Sequence, residues 1–260
     1  MTYTNRIQQL TGDGGAEGTY DEYCTEGAKA IINLMPPSIL EQISTVTTFT
    51  LNLDIDGKRI LNVMRNDGSY DRPCRKISSG LRGNAEDSGD MNYAVASDPV
   101  YYVESEKIYI KPEPASNKGI CNYATYPTID ASASNVGSLD KFPDEYEHLI
   151  VLYASIKELQ KQMYDMKASL PTHSQNNVDS YTEITASDNG WRAVRYYIET
   201  EEDVELSQAS VQALTSEMQQ YIARYQWLQG QQAKLQQDYD RGIQMLVAQG
   251  IPQQPKQGAR

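Results

Sequence analysis

The sequence predicts an α+β fold: a helical bundle with one long C-terminal helix and an inserted small antiparallel β-domain. Three observations predict it. Residues 142–170 and 199–248 keep apolar side chains at heptad spacing. Residues 45–130 are instead rich in β-branched residues and Tyr, broken by Asp-Gly turn signals. Prolines at 36, 37, 143 and 171 stand where the helical patterns begin or stop.

The first segment, 1–44, is read as helical. TYDEYCTEGAKAIINLMPPSILEQI, from 19 to 43, gives a helix, a break at Pro36 and Pro37, and a short second helix. Thr19 is the expected N-cap of the first and Ser38 of the second, with Asp21 and Glu22 suited to the first turn. In the β-domain, TVTTFTLNLDI reads as one strand. Asp56-Gly57 then turns it into RILNVMR, and Asn66-Asp67-Gly68 marks another turn. DPVYYVE, KIYIKPEP and CNYATYP add three strands, for an expected sheet of about four to six.

The central helix, 142–170, opens with FPDEYEHLIVLYASIKELQ. Pro143 suits the first helical position, and Asp144 and Glu145 favour the positive end of the helix dipole. Leu149, Ile156 and Met163 form one row of a seam; Leu152, Leu159 and Met166 form the other. Residues 171–198 are polar and read as an exposed loop or arm.

The long helix, 199–248, carries a first row of Val204, Val211, Met218, Tyr225, Gln232, Tyr239 and Leu246. Its second row is Ser207, Leu214, Tyr221, Leu228, Leu235 and Gly242. At 1.5 Å per residue this is a rod of roughly 65–70 Å. The helix at 142–170 can cover about half of such a seam. The remainder is covered by another chain, is exposed, or the rod breaks at Gly230 or Gly242 and folds back. An assembled seam makes Asp at Leu214 and Leu228 the expected assembly-breaking change. The tail, 249–260, with Ile251, Pro252, Pro255, Lys256 and Arg260, suits an extended chain that docks on a neighbour, or a frayed end.

Bulk properties narrow the function. The net charge of -12 disfavours nucleic-acid binding by the whole surface, but suits a wall that repels passing phosphate. Within 58–82, however, Lys58, Arg59, Arg65, Arg72, Arg75, Lys76 and Arg82 face only Asp67 and Asp71. This is a solvated sheet face, a docking surface for an acidic neighbour, or a contact to DNA. The 19 Tyr suit half-wet sheet surfaces or interfaces. Cys24, Cys74 and Cys121 are odd in number and widely spaced, as in a protein made in a reducing cytosol. MTYTNRIQQL has no apolar signal core, and LIVLYA is too short for a membrane span.

No catalytic, cofactor or metal site is expected. His148 and His173 lack ligand-spaced partners. GDGG at 12–15 has neither the preceding strand nor the Lys-Ser/Thr of a phosphate loop. Asp54-Ile55-Asp56-Gly57 lacks the later Glu of a calcium loop and reads as a turn.

The order of parts resembles head-to-tail connector or adaptor proteins of tailed bacteriophages. FPDEYEHLIVLYASIKELQ carries most of the likeness, with RILNVMRNDG and SDPVYYVESEKIYIKPEP. The resemblance implies a virion neck protein: a ring of about twelve copies below the portal. It would contact portal and tail or nozzle proteins, with DNA passing through its channel and no membrane. Two other readings stand beside it, a coiled-coil tail-attachment or fibre-linked protein and a soluble enzyme or accessory factor.

Overall fold

The computed structural model describes residues 1–12, 17–116, 118–132, 139, 142–168 and 204–249. They fold as α+β, with two four-stranded sheets and a long C-terminal helix. Two compact units result, Met1–Ala154 with Asp238–Arg260, and Ser155–Gln237. The loop at 171–198 and the tail from 250 onward, with Ile251, Pro252, Pro255, Lys256 and Arg260, lie outside the described residues.

The first unit begins with α1 (Tyr3–Thr11), in the part of the helical segment 1–44 for which the sequence gives no bounds. The Thr2 hydroxyl caps it by accepting from the Asn5 backbone N–H at 3.1 Å, and Gly12 closes it at φ 71. Gly12 of the GDGG stretch is thus a helix stop. Next come α2 (Glu17–Leu34) and the short α3 (Pro37–Leu40). Helix α2 starts ahead of Thr19, which is therefore an interior residue and not its cap. Pro36 holds the extended position before α3 and Pro37 opens it, so Ser38 caps nothing.

The strands are β1 (Thr45–Phe49), β2 (Asn52–Asp54), β3 (Lys58–Asn66), β4 (Asp71–Pro73), β5 (Arg75–Lys76), β6 (Val100–Glu104), β7 (Lys107–Lys111) and β8 (Gly119–Thr125). A short helix, α4 (Arg82–Glu86), sits between β5 and β6. The sheets have the orders β1-β8-β3-β4 and β2-β7-β6-β5. TVTTFTLNLDI is therefore not one strand. It leaves the first sheet after Phe49 and joins the second at Asn52, so Asp56-Gly57 links two sheets and closes no hairpin. Asn66-Asp67-Gly68 does turn a hairpin, with Asn66 opposite Asp71. The β5–β6 pair is parallel, unlike the antiparallel rest. The β6–β7 turn uses Ser105 and Glu106, both at positive φ, a conformation with no Asn-Gly to announce it.

The sheets share a core of Phe49, Val63, Ile108, Ile110, Cys121 and Tyr123. Gly119 lets β8 pass Phe49, since a Cβ there would lie 2.9 Å from the Phe49 carbonyl oxygen. A second, helical core gathers Ile7, Ile31, Ile32, Leu149 and Leu246 among others. It is entered by a 3-10 turn (Asp144–Tyr146) leading into α5 (Glu147–Ala168). Pro143 precedes that turn in extended conformation and is not itself helical. The last helix, α6 (Val204–Gln249), has 46 residues, about 69 Å. It continues through Gly230 and Gly242 without a break.

Candidate assembly face

Heptad rows predict which side chains of a helix turn inward, and α5 follows the prediction on both rows. Leu149, Ile156 and Leu159 are buried, and Leu152 and Met163 are half-buried. Burial extends beyond the seam to Ile150, Val151, Ala154, Ser155, Glu158 and Gln162. The last three form a polar strip that heptad reading places outside. Gln162 Nε2 donates to Glu158 Oε1 at 3.4 Å, while Glu158 Oε2 and Ser155 Oγ are without partners.

Helix α6 divides differently. Its second row is covered within the chain: Leu214, Leu228 and Leu235 are 7, 1 and 3% exposed, and Tyr221 is half-buried. Its first row is not. Val211, Met218 and Tyr225 are 41, 48 and 44% exposed, with Ile222 beside them at 53%. Towards the C-terminus the first row closes again. Tyr239 packs on Tyr153 with ring centroids 6.1 Å apart, and Leu246 is fully buried. Scattered exposed apolar residues are ordinary, but contiguous ones mark contact surfaces. Val204, Val211, Met218, Ile222 and Tyr225 recur along one edge of the helix, within about 60° of one another.

This division corrects the expected mutational target. Leu214 and Leu228 hold the chain's own fold, so Asp there unfolds the helix before any assembly is tested. Met218 and Tyr225 are the residues whose loss leaves the fold intact.

Gly242 explains how α6 closes. A Cβ there would overlap Leu149 Cδ2, so the missing side chain admits the α5 leucine. In the same region the Tyr146 hydroxyl donates to Gln249 Oε1. His148 is exposed, with Nδ1 2.9 Å from the Glu145 carbonyl, a local helix contact.

The seven basic residues are spread over both sheets and a helix. Lys58, Arg59 and Arg65 lie on β3, Arg72 on β4, Arg75 and Lys76 on β5 in the other sheet, and Arg82 on α4. Six of them have partners inside the chain. Arg59 donates to the carbonyls of Ile32 and, at 3.1 Å, Met35, satisfying the open end of α2. Arg65 donates to the Pro112 carbonyl at 3.0 Å and Lys58 to that of Asp54 at 2.7 Å. Arg72 pairs with Asp67, Arg75 with Asp98 and Arg82 with Glu104, at 2.8, 2.8 and 2.9 Å. The hydrogen bond from Arg72 holds the Asp67 carboxyl well below the usual carboxylate range, and Arg75 does the same for Asp98. Charge counting along 58–82 includes Asp67 but misses Asp98 and Glu104, which lie outside the stretch.

Among the described residues no three His, Cys, Asp or Glu side chains gather as a metal site, and no helix is long and apolar enough to cross a membrane. Asp54 Oδ1 accepts from the Asp56 backbone N–H at 3.0 Å, the self-bonding of an Asx turn. All three cysteines are free, and burial pushes the thiols of Cys24, Cys74 and Cys121 up to about 12, 12 and 11. Compared with known proteins, the chain matches no family model and no curated protein.

Proposed function

We propose that this chain is a non-enzymatic structural protein of a phage virion, a head-to-tail adaptor that assembles as a ring below the portal. It is made in the host cytoplasm and incorporated into the neck. The ring continues the DNA channel and joins capsid to tail, binding DNA at no particular sequence. The observation that carries this reading is the uncovered row of α6, Val211, Met218, Ile222 and Tyr225. An apolar edge of this length in water is stabilised by a protein neighbour. The resemblance of FPDEYEHLIVLYASIKELQ to adaptor proteins supplies the setting, and the net charge of -12 suits a channel wall that does not retain DNA.

The test is the double variant Met218→Asp with Tyr225→Asp, measured by light scattering and by cryo-electron microscopy with the portal. The wild-type chain forms a closed ring, and the variant keeps its helical circular dichroism as a monomer. A wild-type mass of three copies supports the fibre-linked coiled coil instead. A wild-type chain that stays monomeric both alone and with the portal overturns the adaptor reading.

A further inference from the structure

We infer that the neighbour covering the exposed row of α6 is a second copy of this chain, and that it presents the opposite side of its own α6, around Ala223, Trp227 and Gly230. The inference rests on the ring reading above and adds to it which two surfaces meet.

The first observation is Gly230. Glycine in a helix interior loses stability relative to alanine, and two other glycines inside the longer helices, Gly27 and Gly242, have a visible reason, which Gly83 in the short α4 lacks. A Cβ on Gly27 would lie 2.9 Å from Tyr153 Cδ1, and one on Gly242 would overlap Leu149. A Cβ on Gly230 would meet nothing within 4 Å. Among the described residues nothing compensates the cost at Gly230. Beside it, at helical spacing, stand Ala223 and Trp227, both exposed, Trp227 at 54%. A large amphipathic ring between two small residues offers a shallow seat for a neighbouring ridge. Tryptophan is also the residue type most enriched among strong contact points.

The second observation is angular. At about 100° per residue, Trp227 stands about two and a half turns from Met218, on the other side of the helix. Leu214 and Leu228, buried within the chain, occupy a third direction. One helix therefore has an inner side and two opposed outer sides. Opposed patches fit head-to-tail contact, in which a copy uses one patch on each neighbour and the series closes as a ring. A two-fold pair would use a single self-complementary patch and leave the other bare.

Charge identifies the occupant as another copy. Copies with a net charge of -12 repel one another. Between 204 and 237 the acids Glu205 and Glu217 balance the bases Arg224 and Lys234, two against two, so this stretch is neutral. Two copies can meet along it without that penalty. Area sets the manner of assembly. Val204 to Tyr225 spans about 32 Å of a helix about 11 Å across, a strip of roughly 350 Å². A stable pair buries about 800 Å² per partner. One strip is too small to hold two copies, whereas a ring lets each copy bury two.

Cysteine cross-linking tests this on the full chain at the concentration where light scattering shows assembly. Met218→Cys with Trp227→Cys, oxidised, is expected to give a ladder of disulfide-linked multimers, and Met218→Cys alone no cross-link at that site. The Gly230→Leu variant keeps or gains helical stability, because Leu is the better helix former. It shifts the concentration of half-assembly upward by roughly tenfold or more, because it fills the seat. A dimer band from Met218→Cys alone overturns the inference in favour of a two-fold pair. Assembly with no ladder, or a Gly230→Leu chain assembling like wild type, overturns it and leaves the ring reading standing. A wild-type chain that is monomeric at every concentration overturns the ring reading itself.

Discussion

Helices α5 and α6 carry the same sequence signature and meet different fates. Both show two apolar rows at heptad spacing. On α5 both rows are covered by the chain; on α6, between Val204 and Tyr225, only the row of Leu214 and Leu228 is. Periodicity records that a helix has a face to hide. It does not record who hides it. The difference is one of supply: α5 has 22 residues and α6 has 46, so the longer helix carries more apolar edge than the shorter one can cover. The uncovered edge is therefore a property of the whole molecule, invisible in either helix alone.

The comparison breaks most sharply at the covered row. Leu228→Asp places a carboxylate at a position 1% exposed, and a buried, unpaired charge costs on the order of 4 kcal/mol or more. Met218→Asp, one row over, is expected within about 0.5 kcal/mol of wild type. Thermal unfolding of the two monomers checks this. Equal losses at 218 and 228 would mean that the two rows are equally covered and that α6 has no free edge.

Glycine gives the next largest contrast. Gly242→Ala drives a methyl into Leu149, and overpacking of this kind costs about 1–3 kcal/mol. Gly230→Ala meets open space and gains up to about 1 kcal/mol of helix propensity. The same substitution on one helix is thus expected to lower the melting temperature at 242 and raise it at 230. A loss at both would mean that Gly230 too is packed within the chain.

These cases show what the sequence discloses. The α+β class, the strand segments 100–104, 107–111 and 119–125, and the long helix follow from periods of 2 and 3.6, which are local properties. Sheet assignment is not local. TVTTFTLNLDI has no residue that marks its passage from one sheet to the other, and β5 pairs with β6 across α4. The N-terminal helix is marked in the sequence by Thr2 and Gly12, residue types that cap a helix at its start and its end. For the candidate face, the rows could be named from spacing alone. Which row was free, and that Gly242 joins helices where Gly230 meets nothing, depended on partners far off in the sequence, such as Leu149 beside Gly242.

Acid sharpens a contrast between the ion-paired β region and the apolar rows of the helices. Asp67 bonded to Arg72, Asp98 to Arg75 and Glu86 to Lys111 all hold their carboxyls below the ordinary value. A folded value below the unfolded one gives stability that is present above about pH 4 and lost as pH falls through the folded value. Each pair has at least one partner open to solvent, so each loss is small. The expected result is a β-domain whose amide protection weakens below about pH 4 while α6 keeps its own. Weakening first in α6 would place the acid-sensitive contacts on the helix instead.

The gentlest probe perturbs nothing and reads cover directly. Only the thiolate reacts quickly with a disulfide reagent, and burial pushes Cys24 and Cys74 up to about 12 and Cys121 to about 11. At pH 8 the thiolate is a minute fraction at each, against roughly a quarter of an ordinary cysteine thiol. The native chain is therefore expected to leave all three unlabelled over minutes and to release all three in denaturant. Met218→Cys adds a fourth thiol on the exposed row, which labels at once in the monomer and becomes protected as copies assemble. Labelling of Met218→Cys that is equally fast in the assembled state would mean that the row stays bare there, and the neighbour would have to be sought on another side of α6.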